Sequence, residues 1–227
     1  LGSLARRRLA TLFSLIAIIL GVALGMAVQA VHEAALAEFG RGLSSLAGDA
    51  DFQVAGPRGG FDESLYSILA GRPEVAEASP IVELEVRPAG RDEALQLLGV
   101  DVFALARVTP ALLPRPGEGA GRLAFLADDR IFLSRAAQSA LALGPGDDID
   151  LQTGTRSTTL TIAGDIPGAA DNSRLAVMDI AAVQSRFART GRLTRIDLKL
   201  APGVAPAAAR TALQAILPAG VLIEAPA

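Results

Sequence analysis

The sequence predicts an α+β domain carried on an N-terminal transmembrane helix that continues into a stalk. Three observations carry this expectation. A charge-free apolar run from Leu9 to Val31 opens the chain. The order strand, helix, strand occurs soon after that run and recurs at the C-terminal end. Between the two, a stretch rich in Pro and Gly (Thr109–Gly121) leads into a β-rich segment. The expected organisation is a flank, membrane helix and stalk in 1–48, a split α+β subdomain from 49–108 and 185–227, and an inserted β-rich subdomain in 109–184.

The apolar run spans roughly 35 Å as a helix, against a hydrocarbon core of about 30 Å. Arg6, Arg7 and Arg8 precede it, and His32 and Glu33 come after it. Clustered arginines favour the cytoplasmic side, so residues after about 31 are expected outside the cytoplasm. Val28-Gln29-Ala30 resembles a cleavage site, but an export signal carries an apolar run of only about 7–15 residues. Val28, Val31, Ala35, Phe39, Leu43 and Leu46 then continue a stripe at helical spacing, as a stalk would. Ala17, Gly21 and Gly25 place small residues four apart, a face on which another membrane helix can pack.

Beyond Gly48 the elements come in order. ADFQVAG (50–56) alternates as a strand does, and GPRGG is a turn. FDESLYSILAGRP reads as a helix with Phe61, Leu65, Ile68 and Leu69 on its core face. VAEASPIVELEVRP reads as a long strand, broken at Pro80 if anywhere, and ALQLLGVDV (94–102) as another. RIFLS is a short strand, and RAAQSALAL a helix stopped by Gly144-Pro145-Gly146. DDIDLQT and STTLTIAGDI form a hairpin about Gly154-Thr155-Arg156. RLAVMD, IAAVQSRFART, LTRIDLKLAPG, VAPAAARTALQAILP and VLIEA complete the chain as strand, helix, strand, helix, strand.

Composition limits the chemistry. The net charge of −3 argues against a general nucleic-acid binder. The absence of cysteine removes disulfides and thiolate metal sites. His32 is the only histidine and sits at the expected membrane boundary, a poor place for a general base. Asp128-Asp129 and Asp147-Asp148-Asp150 are carboxylate clusters, but they fall at turns, where Asp is favoured for local hydrogen bonds. Their spacing lacks the closing Glu of a calcium loop, and no phosphate-binding Gly-Lys-Ser/Thr loop is present. No catalytic, cofactor-binding or metal residue is therefore assigned, and a binding or force-transmitting role is expected.

Several segments in order carry a family resemblance: ARRRLATLFSLIAIILGVALGMAV, LAGDADFQVAG, RPEVAEASPIVELEV, LQLLGVD, IFLSRAAQSALALGPGDDIDL and LAVMDIAAVQSRFARTGRLTRIDLKLAPG. Together they resemble the macrolide-exporter, FtsX-like and lipoprotein-releasing superfamily of ABC permeases. The opening segment is most similar to the permease associated with lysophospholipase genes. The resemblance implies the first transmembrane helix and first periplasmic domain of a permease subunit in the inner membrane. It also implies a separate cytoplasmic ABC ATPase, further transmembrane helices and a periplasmic partner or substrate. In that family the ATPase cycle drives export or periplasmic conformational change, and the nucleotide-hydrolysing residues belong to the partner. The alternative is an exported hydrolase, or an anchored binding protein, with residues 1–30 as signal or anchor.

Overall fold

The computed structural model describes residues 50–226 except 58 and 92. The expected membrane helix, His32, the stalk stripe and the Ala17-Gly21-Gly25 face lie outside the described residues. Among the described residues, no helix is long and apolar enough to cross a membrane.

The chain enters through β1 (Phe52–Ala55) and the two-residue strand β2 (Phe61–Asp62), which leads into α1 (Ser64–Ala70). Then come the long β3 (Val75–Pro88), β4 (Leu95–Val100) and α2 (Val102–Val108). The middle segment holds β5 (Arg115–Pro116), β6 (Arg130–Leu133), α3 (Arg135–Leu141), β7 (Asp148–Thr153), β8 (Arg156–Asp165), β9 (Leu175–Asp179) and α4 (Ile180–Arg186). The chain finishes with β10 (Arg192–Leu193), β11 (Arg195–Leu200), α5 (Pro206–Gln214) and β12 (Leu222–Glu224).

The main sheet runs β12-β1-β11-β3-β4-β9-β6-β8-β5, and β7 bridges β3 and β8. Traced from β3 through β4, β9, β6, β8 and β7, the pairings return to β3 and close a ring. The β4–β9 and β6–β8 pairs are parallel and the rest of the ring is antiparallel. Alternation fixes what each face buries. Val86, Leu97, Leu133, Leu151, Leu160 and Ala176 belong to one core cluster, which also takes in Val54, Ile196 and Leu198 from the open end of the sheet. Their neighbours in sequence, Leu98, Phe132, Ala163, Leu175 and Val177, form a second cluster beneath α2, with Ile81 and Leu105. Each fully buried Val, Leu, Ile or Phe among them stabilises the fold by about 1.5–3 kcal/mol.

Local chemistry fixes the helix starts. Asp101 Oδ1 accepts from Phe103 N at 2.9 Å and caps α2. Asp179 caps α4 through Ala181 N, and Ser134 caps α3 through Ala137 N.

One open reading is resolved and three sequence expectations need correction. β3 is one continuous strand through Pro80. From Val75 to Pro80 it pairs only with β11, and β4 joins at Ile81, so Pro80 lies where one edge is open and a missing N–H is tolerated. The strand expected over 94–102 stops at Val100, and residues 102–108, left unassigned by the sequence, are helical with Asp101 as cap. α1 buries only Leu65 and Leu69, and Ile68 is 52% exposed. α3 stops at Ala142, which takes the left-handed conformation (φ 51°) ahead of the Gly-Pro-Gly.

Candidate functional site

The most polar part of the interior lies on β11 and its neighbours. Arg195 and Asp197 share a face of β11, two residues apart. Asp197 stands in register between Gln53 of β1 and Ser79 of β3. All three are buried, and Asp197 is only 1% exposed. The Arg195 Nε lies 2.9 Å from Asp197 Oδ1, but the two are misaligned and neither makes a hydrogen bond there. The contact is ionic, supplemented by a long Nη2–Oδ2 approach of 3.4 Å. Arg195 Nη1 reaches Glu83 Oε2 at 3.4 Å, and Gln96 Nε2 donates to Glu83 Oε1 at 2.6 Å. The Ser79 hydroxyl is buried without a partner.

Burial sets the charge state of this cluster. Desolvation raises the Asp197 carboxyl to about 6, and the nearby Glu83 adds to it. Attraction and hydrogen bonding from Arg195 oppose the rise without overcoming it.

Thr194 sits beside this cluster and separates β10 from β11, where the sequence suggests one unbroken strand. Its hydroxyl accepts from Glu83 N at 2.7 Å, and its N–H donates to the Ile81 carbonyl at 3.0 Å. The break opens a groove of about 720 Å³ lined by Gly56, Glu83, Glu85, Thr153, Arg189 and Arg195, among others. An adjoining groove of about 380 Å³ adds Gln96 and Arg174.

A second surface is apolar. Phe103 of α2 is 62% exposed and meets Phe125 edge to face, with ring centroids 6.4 Å apart. Leu123 and Leu126, in and beside the 3₁₀ turn Ala124–Leu126, are exposed too.

The carboxylates singled out from the sequence do not converge. Asp128 pairs with Arg186 at 2.9 Å and Asp129 with Arg130 at 3.3 Å. Asp147 accepts from Gly144 N, Asp148 from the Thr161 hydroxyl and Asp150 from that of Thr159. Among the described residues, no three His, Cys, Asp or Glu side chains gather as metal ligands would. Sequence reasoning missed Asp197 because LTRIDLKL alternates like a half-exposed strand, with Asp197 on its polar side. The sequence carries no sign that this side is covered.

The chain matches the MacB-like periplasmic core domain over residues 11–216. The chain belongs to that family. Over 222 residues it is 28% identical to an uncharacterized ABC transporter permease protein of Mycobacterium tuberculosis, covering 93% of this chain and 25% of the relative. It thus spans about a quarter of the length of the curated relative it matches. Among solved structures, the fold resembles the periplasmic region of MacB from Actinobacillus actinomycetemcomitans, with a TM-score of 0.57 and 14% identity over 82% of this chain and 91% of that one. It also resembles the extracellular domain of the noncanonic ABC-type transporter YknZ from Gram-positive bacteria, with a TM-score of 0.55 and 10% identity over 77% and 99%. As a MacB-like periplasmic core domain, the chain has mixed α+β architecture, as its sequence predicts. The matched relative is described as a permease and not as a hydrolase.

Proposed function

We propose that this MacB-like domain transmits movement between the membrane part of a permease subunit and the space outside the cytoplasm. A separate cytoplasmic ABC ATPase supplies the energy, and the remaining transmembrane helices belong to the rest of the permease. In this reading residues 1–48 hold the cytoplasmic flank, a helix in the inner membrane and its stalk, and the described residues are periplasmic. The movement serves export or a change in a periplasmic partner.

One observation carries the reading. β1 and β12 are antiparallel neighbours, with Gln53 opposite Glu224. The chain therefore enters the sheet and leaves it at the same end, about 5 Å apart. Two stems rooted side by side in one sheet can drive the head as a lever. β1 is hydrogen-bonded to β11 as well, so a displacement of β1 is carried into the rest of the sheet. The same pairings support treating 49–108 with 185–227 as a split subdomain and 109–184 as an insertion.

The test is a flexible Gly/Ser insertion near Gly42 in the intact permease with its ATPase. Spin-label distances between head and membrane, read in nucleotide-free and ATP-trapped states, are expected to stop responding to nucleotide while the head stays folded. Coupling that survives the insertion overturns the lever.

A further inference from the structure

β3 changes partner along one of its edges. β11 pairs with it up to Ile81, and β7 from Arg87 onward. Between them, no strand among the described residues pairs with residues 82–86 on that side, although β10 runs close to β3 there. The direction of the free groups can be read from the bonds on either flank. The Ile81 carbonyl, the Glu83 N–H and the Ala89 N–H all bond away from β4, to Thr194, the Thr194 hydroxyl and Asp150. Alternation turns the main-chain groups of Glu85 the same way, along with the Glu83 carbonyl. Glu83 and Glu85 line the 720 Å³ groove, together with Gly56 and Thr153 among others. The Thr153 hydroxyl is buried and has no hydrogen-bond partner.

We propose that this notch docks an extended, acidic segment of a partner polypeptide, which adds to β3 as a short strand. The gap from Glu83 to Arg87 spans about 13 Å of extended chain, room for a segment of roughly three residues. Strand addition satisfies the free main-chain groups and gives affinity without requiring a deep pocket. Charge selects the partner. Glu83 shares Arg195 with the buried Asp197 and Glu85 pairs with Arg87, so these three carboxylates face two arginines. Arg189 on the groove wall and Arg174 in the adjoining groove have no ion-pair partner among the described residues. The unbalanced charge is positive, so an Asp or Glu side chain completes the site and a Lys is repelled. This inference stands apart from the coupling mechanism, since it concerns only what the head holds.

The test uses the full 227-residue chain in micelles and blocked hexapeptides of alternating Val and Glu, or Val and Lys. Amide hydrogen exchange across residues 82–86 locates binding, and anisotropy of fluorescein-labelled peptide gives its strength. The Glu peptide is expected to slow exchange at Glu85 and to bind at least about five-fold more tightly than the Lys peptide. Methylating the peptide's amide nitrogens on alternate residues removes the protection, because main-chain pairing is lost while charge is kept. Arg189→Glu reverses the order of the two peptides. Unchanged exchange at 82–86 with millimolar Glu peptide overturns the proposal. So does equal protection by the N-methylated peptide, or a peptide order that Arg189→Glu leaves as it was.

Discussion

Replacing Asp197 by Asn should stabilise the folded domain at neutral pH. The Asp197 carboxyl rises from 3.8 to about 6 on folding. The folded chain then binds a proton more tightly than the unfolded chain does. Stability from this group is therefore greatest below about pH 4, falls as pH rises from there to about 6, and is constant above. Holding the charged form inside the fold at pH 8 costs roughly 3 kcal/mol, the free-energy equivalent of that rise. The figure already contains the attraction of Arg195, which desolvation outweighs. Asn keeps the shape and loses the charge, while Arg195 retains Glu83 at 3.4 Å. The expected gain is about 1–3 kcal/mol at pH 8, closing towards zero near pH 4. Urea unfolding of both proteins, monitored by circular dichroism in half-unit pH steps, measures it. The difference between variant and wild type is the quantity to read, because Asp62 and Glu74 act in the opposite sense. Hydrogen bonds from Ser64 hold Asp62 below the usual carboxylate range, and its own N–H and Arg72 do the same for Glu74. A variant less stable than wild type at pH 8, or a gap that does not change with pH, refutes the reasoning. The first result would mean that Arg195 needs Asp197 more than Asp197 needs water.

Other substitutions probe the packing that holds this cluster in place. Gly99→Ala puts a Cβ 2.7 Å from that of Val183, forcing β4 from α4, and should cost about 1–3 kcal/mol in urea unfolding. Gly164→Ala is expected to be worse, since its Cβ would meet the Arg115 carbonyl oxygen, main chain that cannot turn aside. Asp101→Ala removes the α2 cap and should lower stability by about 1 kcal/mol, with Asp101→Asn largely restoring it. Leu105→Ala empties the fully buried centre of the α2 face and should cost roughly 2–5 kcal/mol by the same assay.

Element order was legible because it is written in local patterns. Alternation marks β7 and β8, and Gly154 at φ 59° permits the two-residue turn between them. The missed α2 shows where local patterns stop. Val102-Phe103-Ala104-Leu105 suits a strand as well as a helix, and Asp101 decides between them only once its side chain reaches back to the Phe103 N–H. Pro80 left the reading open between one strand and two, because its effect depends on which edge of β3 is occupied, and β4 and β11 come from distant parts of the chain.

The candidate site was illegible for a related reason. Glu83, Thr194 and Arg195 meet across more than a hundred residues of sequence, and none belongs to a recognisable motif. What brings them together is the pairing of β11 with β3, which sets Arg195 opposite Ile81. β3 is long enough to serve two neighbours on one edge, first β11 and then β7, and no single neighbour fills the whole edge. Where one partner ends and the next begins, main chain is left facing outward, and charged side chains collect there because apolar ones would be exposed. A corner at which a strand passes from one set of partners to another thus creates the open edge at Glu85, and Arg195 beside it reaches back to the buried Asp197. If the corner moves when the stems at β1 and β12 are driven, the width of the notch changes with them, since β11 forms one of its walls and is hydrogen-bonded to β1. Peptide affinity at the notch should then differ between the nucleotide-free and ATP-trapped permease. Equal affinity in the two states would mean that the head moves as a rigid body and the notch is a fixed attachment point.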